Sequence, residues 1–493
     1  MITVKKNKIM SDLVRLEKYN EVYLRVRCEP SIMYEMCDAF TFMVPNAKFS
    51  PQYRNRVWDG KIRLLNTTTG LIYRGLADHI KEFCDKRDYP IEIDSEFAAA
   101  EFSVHEMEEY AKTLNLPFKP HDYQIDGVVQ AIRSKRRLLL SPTASGKSLM
   151  IYMLIRHYAK RTLIVVPSIS LVHQMASDFA EYGFNSDKYV HKIFQGQEKG
   201  TEKPIVITTW QSIVDMPKKW YENFDLVIGD EAHNFKAKSL LSIMNKMENI
   251  KYRVGFTGTL DGTQTHKLVL EGLFGPVYKV ISTAEMIEQN HASNFLIKNI
   301  ALMYSDDERR DVSKMTYPQE MDFLVKHPKR NNFIKNLVLS SKGNTLVLFQ
   351  LVDKHGKILY NLVKDEAEAQ GRKVFFIHGK VDGDEREAIR HIVMKEKNAI
   401  MIASYGTTST GVNIPNLDMA IFASPSKARI RNLQSIGRIL RKADGKELAV
   451  LIDIADDLNW KSKKKYTLLH FIERMKIYAE EQFEYKTYTV KLT

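Results

Sequence analysis

Cysteine is almost absent: the 493 residues hold three, Cys28, Cys37 and Cys84, all early and with neither Cys-x-x-Cys nor Cys/His ligand spacing. That scarcity points to a reducing compartment and away from disulfide scaffolds and structural zinc. Long apolar runs are missing too. No stretch is long enough to span a bilayer, and the opening Met-Ile-Thr-Val-Lys-Lys-Asn-Lys lacks the apolar core of a secretory signal. A cytoplasmic protein without a membrane partner is expected. Acidic residues are in deficit, with Lys+Arg 73 against Asp+Glu 60 and a formal net charge of +13. Such a balance fits a polyanionic partner, nucleic acid above all, better than solubility alone.

The chain is organised around Ser141-Pro142-Thr143-Ala144-Ser145-Gly146-Lys147-Ser148, a turn between the apolar run Arg137–Leu140 and an amphipathic stretch from Leu149. Strand, small-residue turn and helix make a phosphate cradle, in which backbone N–H groups and the helix dipole face an anion. Thr143 to Gly146 would line it, Lys147 would reach the β- and γ-phosphates, and the Ser148 hydroxyl would hold Mg²⁺. ATP and Mg²⁺ are therefore the expected cofactors. Glycine is short even here: Ser141 opens the loop where the usual pattern has Gly, and Ala144 stands where many such loops have another.

With 44% hydrophobic and 27% charged residues the chain is globular, and too long for one core. Residues 1–95 read as a small α+β domain, with a strand-like run Val22–Val26 and a helix from Ser31 to Ala39. In Arg54-Asn55-Arg56-Val57-Trp58-Asp59-Gly60-Lys61-Ile62-Arg63, two strands meeting at Asp59-Gly60 would present Arg54, Arg56, Lys61 and Arg63 around Trp58. That suits phosphate contact plus stacking; a hairpin with Trp58 in the core and solvated arginines is the competing reading. An acidic connecting helix occupies 96–115. From Phe118-Lys119-Pro120-His121-Asp122-Tyr123-Gln124 a new unit opens, with Pro120 at a helix start.

Short apolar runs at 163–167, 205–209, 224–228 and 252–256 fit strands buried on both faces of a parallel sheet, giving a domain over 116–285. Glycine, asparagine and charge thicken afterwards, so a hinge is expected over 286–325. A second series at 345–349, 374–377, 399–403, 419–423 and 448–452 makes another parallel-sheet domain over 326–455. The extension 456–493 holds Lys461, Lys463, Lys464 and Lys465, a helix from Leu468 to Glu481 and a closing strand. The lysines contact nucleic acid or merely solvate a helix.

Asp230-Glu231-Ala232-His233 follows directly on a buried strand. Phosphoanhydride hydrolysis needs charge neutralisation and an oriented water, which assigns Asp230 to the metal and Glu231 to the base. In Gln434-Ser435-Ile436-Gly437-Arg438-Ile439-Leu440-Arg441, two arginines three apart share a helix face and suit the charge developing on a transferred γ-phosphoryl.

In order, Gln124, Ser145 to Ser148, Pro167, Thr208-Thr209, Asp230 to His233, Thr257-Gly258-Thr259, Thr410-Gly411-Val412-Asn413-Ile414-Pro415 and Gln434 to Arg441 resemble superfamily 2 helicases of the DEAH-box type. The resemblance spans roughly residues 116 to 455. It implies two tandem RecA-like motor domains behind a small N-terminal α+β DNA-binding domain, with ATP in the cleft between the motors. It also implies Tyr123 and Gln124 near adenine, Gln434 at the nucleotide, and His233, Thr257 and Thr259 coupling hydrolysis to closure. Pro167, Thr208, Thr209, Thr410 and Gly411 would line a sequence-indifferent nucleic-acid track.

Trp58-Asp59-Gly60-Lys61, Arg330-Asn331-Asn332 and the stretch from His470 to Tyr478 look like phage recombination helicases. That likeness implies remodelling of branched DNA by branch migration, fork regression and removal of D-loops and R-loops, including RNA–DNA hybrids, by a monomer in the host cytoplasm. An RNA-dedicated remodeller, a non-catalytic scaffold and a restriction motor remain as alternatives, although no nuclease constellation is evident.

Overall fold

The computed structural model describes residues 12–45, 47–409, 414–425, 428, 433, 435–437, 439–443 and 446–492. Thr410, Gly411, Val412, Asn413, Gln434 and Arg438, all quoted in the motifs above, lie outside the described residues. The chain divides into two compact units, Met1–Ser141 with Gly146–Val280, and Pro142–Ser145 with Ile281–Thr493. Among the described residues no helix is long and apolar enough to cross a membrane.

The first unit opens with six short strands, β1 Val14–Lys18, β2 Tyr23–Arg27, β3 Thr41–Met43, β4 Lys61–Arg63, β5 Leu71–Tyr73 and β6 Ile91–Ile93. A four-stranded sheet of order β5-β2-β1-β6 forms from all but β3 and β4, which pair as a separate ribbon. Alternation along β1 and β2 turns Val14, Leu16, Leu24 and Val26 inward, against Ile32 and Met36 of helix Pro30–Ala39 and Ile80 and Phe83 of helix Ala77–Asp85. Leu268 and Val269, from helix Gln264–Phe274, complete that core. The small sheet and the sheet that follows therefore share apolar residues.

Seven parallel strands follow: β7 Arg136–Leu140, β8 Thr162–Val166, β9 Val190–Ile193, β10 Ile205–Thr209, β11 Leu226–Gly229, β12 Tyr252–Thr257 and β13 Val277–Lys279, in the order β13-β7-β12-β11-β8-β10-β9. Every residue of β8, β10 and β11 is buried, as helix-covered parallel strands require. Helix Lys147–Tyr158, expected to be amphipathic, is instead buried at each residue from Leu149 to Ile155. Its apolar surface runs all round because it is packed on every side. Parallel strands put Leu140, Val166, Thr209, Gly229 and Thr257 at one carboxyl edge, where ligands bind in such sheets.

The second unit holds β14 Asn294–Met303, β15 Asn344–Phe349, β16 Val374–Ile377, β17 Ile400–Ser404, β18 Leu417–Phe422, β19 Leu448–Asp457 and β20 Tyr485–Lys491. They form one parallel sheet of order β16-β17-β15-β18-β19-β14-β20. The stretch 286–325, expected as a hinge, thus contains the ten-residue strand β14, paired along its whole length with β19. Its polar flanks disguise it, since Ser305 and Thr316 cap short helices on its carboxyl side. Residues 456–493 are likewise part of the sheet: β20 pairs with β14, and helix Tyr466–Glu480 is held by Arg474, fully buried and bidentate to Asp453 of β19 at 2.7 and 2.8 Å. Arg330 forms a second buried pair with Asp456, at 2.8 and 3.0 Å.

Candidate ATP and nucleic-acid sites

β7 delivers the phosphate loop. Ser141 N–H donates to the Thr257 carbonyl at 2.9 Å, which registers the loop against the end of β12. Ser145 Oγ donates to the Pro142 carbonyl at 2.7 Å and closes the turn, and Lys147 Nζ folds back to the Ser141 carbonyl at 3.4 Å. Gly146 is left-handed, at φ +78°, and so is Ala144, at φ +71°. Ala144 therefore takes a backbone conformation that favours glycine although it carries a Cβ.

Gln124 is buried on helix Asp122–Ser134, accepts from His121 N–H at 2.9 Å, and sets its amide against Gly146 closely enough that a Cβ there would overlap Nε2. Its visible task is to brace the phosphate loop. Tyr123, partly buried, stacks on His121 with ring centroids 5.3 Å apart and its hydroxyl pushed up to about 12 by burial.

From the end of β11, Asp230 N–H bonds the Val165 carbonyl at 3.0 Å and aims the next two carboxylates off the edge. Asp230 is 7% exposed, and burial followed by the nearby Glu231 charge pushes its carboxyl up to about 6, with Lys147 pulling the other way. Glu231 is left-handed, at φ +49°, a strained geometry for a residue with a Cβ.

A buried path leads on from there. Thr257 Oγ donates its proton to the Thr259 carbonyl at 2.9 Å, so it accepts from His233 Nδ1 at 3.1 Å. That fixes the tautomer with hydrogen on Nδ1, which also faces Glu231 Oε2 at 3.3 Å. Thr259 Oγ is buried without a hydrogen-bond partner among the described residues.

Sequence reasoning missed the residue that props this path. His266, buried on helix Gln264–Phe274, meets the His233 carbonyl through Nε2 at 3.0 Å and Asp261 Oδ1 through Nδ1 at 2.9 Å. Asp261 also receives Thr263 N–H and Oγ at 2.9 and 2.7 Å. The Asp-Gly-Thr cluster after Thr259 is a helix-start signal that could have flagged it.

The donor set suits a hard cation: Asp230 carboxylate and Ser148 hydroxyl are oxygen ligands, and a divalent charge would reverse the penalty that burial places on Asp230. Among the described residues no group of three His, Cys, Asp or Glu side chains could hold a metal by itself. Such a cation would rely on substrate phosphates for its remaining ligands, as Mg²⁺ commonly does.

Nucleic-acid positions are less uniform. Pro167 is partly exposed after β8, beside Ser168, which caps the next helix. Thr208 is fully buried, with its hydroxyl on the Thr209 carbonyl at 3.1 Å, and Thr209 Oγ meets Ser212 Oγ at 2.9 Å. The Thr208 side chain therefore does not reach a surface, contrary to its expected place on the track.

The expected hairpin around Trp58 also differs. β4 pairs with β3, Met43 opposite Lys61, and residues 51–58 form no strand. Ser50-Pro51 instead starts a helix, Pro51–Arg54, and Arg56 turns left-handed at φ +57°. Arg54 and Arg56 thus sit on a helix and turn, whereas Lys61 and Arg63 point outward from β4. Trp58 is partly buried, its Nε1 donating to the Lys61 carbonyl at 2.9 Å, and Arg63 is tied to Asp59 at 2.5 Å. Val57, 79% exposed, stands at the tip with Phe49 and Met43 nearby in sequence and also exposed.

In the second unit Ser435, Ile436, Gly437 and Ile439 are helical, and Arg441 follows just beyond, where the chain bends. Arg438, with which it was expected to share a helix face, lies outside the described residues.

Residues 13–94 match the family described as DNA helicase UvsW, N-terminal, residues 117–262 the type III restriction enzyme res subunit family, and residues 329–443 the helicase conserved C-terminal domain. The ATP-dependent DNA helicase uvsW of Enterobacteria phage T4 is 33% identical over 506 residues, which cover 97% of this chain and 100% of that protein. The chain belongs to the UvsW family of DNA helicases. The crystal structure of T4 UvsW matches 97% of this chain and 100% of that one, at 32% identity and a TM-score of 0.51. A DNA 3′-5′ translocase, XPB2 of Sulfurisphaera tokodaii, is 25% identical over 68% of this chain and 80% of its own length. The UvsW likeness includes the small N-terminal sheet with its basic ribbon, which the two motor-domain families leave unmatched.

Proposed function

We propose that the chain is an ATP-driven motor that remodels branched DNA, with Mg²⁺ as the nucleotide's metal partner and the cytoplasm of a phage-infected bacterium as its setting. The observation that carries this reading is the path from Glu231 through His233 to Thr257 and Thr259. It lets the protonation and position of the base be felt at the end of β12. Lys147 and the loop N–H groups hold the β- and γ-phosphates, and Glu231 takes the proton of the attacking water. Arg438 and Arg441 supply positive charge to the transferred phosphoryl, with Gln434 at the nucleotide. Mg²⁺, held by Ser148 and Asp230, would supply charge neutralisation on the phosphates.

Arg54, Arg56, Lys61 and Arg63, with Trp58 and the exposed Val57, support a duplex or junction grip by the small domain. Pro167, Thr209, Thr410 and Gly411 would follow the backbone of one strand.

ATP hydrolysis measured with linear single strands, linear duplex, a four-way junction, an RNA–DNA hybrid and RNA tests the reading. The junction should stimulate most, and Glu231→Gln should lower turnover by roughly a hundredfold or more while ATP still binds. Stimulation by RNA alone, or full turnover in Lys147→Ala, would refute it.

A further inference from the structure

Lys446, partly buried in the second unit, donates to three backbone carbonyls: those of Ile439, Arg441 at 2.8 Å and Pro415 at 3.1 Å. Ile439 and Arg441 end one expected motif, and Pro415 ends the other, so a single amine joins the two. Ser293 grips the same end, its Oγ on the Arg441 carbonyl at 3.1 Å and its N–H on the Leu440 carbonyl at 2.9 Å. Nothing in the motifs themselves explains a lysine at this position.

We infer that Lys446 is a positioning residue for ATP hydrolysis, its ammonium holding the backbone behind Arg441 against Pro415. The inference rests on the role proposed for Arg441 above. Three carbonyls use all three hydrogens of an ammonium, and a neutral amine would turn a lone pair toward one of them. Loss of the proton therefore loosens the clamp without removing the side chain.

Burial holds the Lys446 amine down to about 8, with Asp418 favouring and Arg441 opposing its charge. Among the described residues those are the charged groups that act on it. The unfolded amine keeps its proton to about 10.5, so between the two values the unfolded chain binds more protons and this group's contribution to stability rises with pH. A clamp that serves catalysis thus fails where the fold gains, and a merely structural lysine would show no such split.

The test is DNA-stimulated ATP hydrolysis by the full chain from about pH 7 to about pH 9.5, with kcat, KM and melting midpoint recorded for wild type, Lys446→Met, Lys446→Arg and Arg441→Ala. Lys446→Met should lower kcat roughly ten- to a hundredfold, with KM for ATP within about threefold. Wild-type kcat should fall above about pH 8, and that limb should vanish in both lysine variants. Wild-type kcat in Lys446→Met, or the same limb persisting in it, overturns the inference. Should Lys446→Met melt early, Lys446→Arg decides: an unchanged limb overturns the inference and a lost limb supports it. Full turnover in Arg441→Ala refutes the underlying assignment instead.

Discussion

Three residues around the phosphate site, Ala144, Gly146 and Glu231, are left-handed, and two of them carry a Cβ. Such conformations cost of order 1–3 kcal/mol each and persist where the surroundings impose them. Gly146 cannot follow suit, because its Cβ would overlap the Gln124 amide that braces the loop. Gly146→Ala should weaken ATP binding at least about tenfold while moving the melting midpoint only a few degrees, which titration with a fluorescent nucleotide and a thermal melt would check. Residue types were legible here, since a Gly-Lys-Ser turn and an Asp-Glu pair after apolar runs state their chemistry in the sequence. Conformation and burial were not: spacing says nothing of Thr208 facing inward or of His266 reaching back to the His233 carbonyl.

Two elements are held by charges that sequence pattern could not pair. Arg474 fastens helix Tyr466–Glu480 to Asp453, and Tyr478 Oη donates to the same carboxylate at 2.7 Å. Removing the cation strands Asp453 in the interior, so Arg474→Ala should destabilise the second unit by about 3–5 kcal/mol, measured by denaturant unfolding. His79, on helix Ala77–Asp85, bonds Glu271 of helix Gln264–Phe274 at 2.8 Å, and that bond raises its pKa above the ordinary value despite burial. A raised folded pKa stabilises below the unfolded value and loses that contribution as pH climbs through the folded one. The attachment of the small sheet should therefore weaken as pH rises above about 6.5 and through the raised value, and His79→Gln should flatten that slope in hydrogen exchange of the two helices. Strand runs of the inner sheets announced themselves by being apolar throughout. β14 did not, because its alternation and polar flanks imitate a linker, and the pairing of β3 with β4 spans a loop that no local signal bridges.

At the scale of the molecule, the excess of 73 basic over 60 acidic residues makes DNA binding a matter of counterion release. Arg56→Ala with Lys61→Ala should weaken junction and duplex alike and make the log–log dependence of affinity on salt shallower by about one to two, read by anisotropy at several ionic strengths. That overall chemistry was legible from composition, whereas the fixing of the small sheet was not. Glu21 lies buried between Arg74 of the small domain and Arg136 at the start of β7, 2.7 Å from the latter, so the basic ribbon is carried on the same body as the phosphate loop's strand. β14 carries a different consequence, for the making of the protein. Its partners are β19 and β20 alone, so an apolar strand leaves the ribosome long before Leu448 and Tyr485 exist to cover it. The first unit can close while translation proceeds, but the second must wait with an open edge, and a nascent chain in that interval is a client for chaperones.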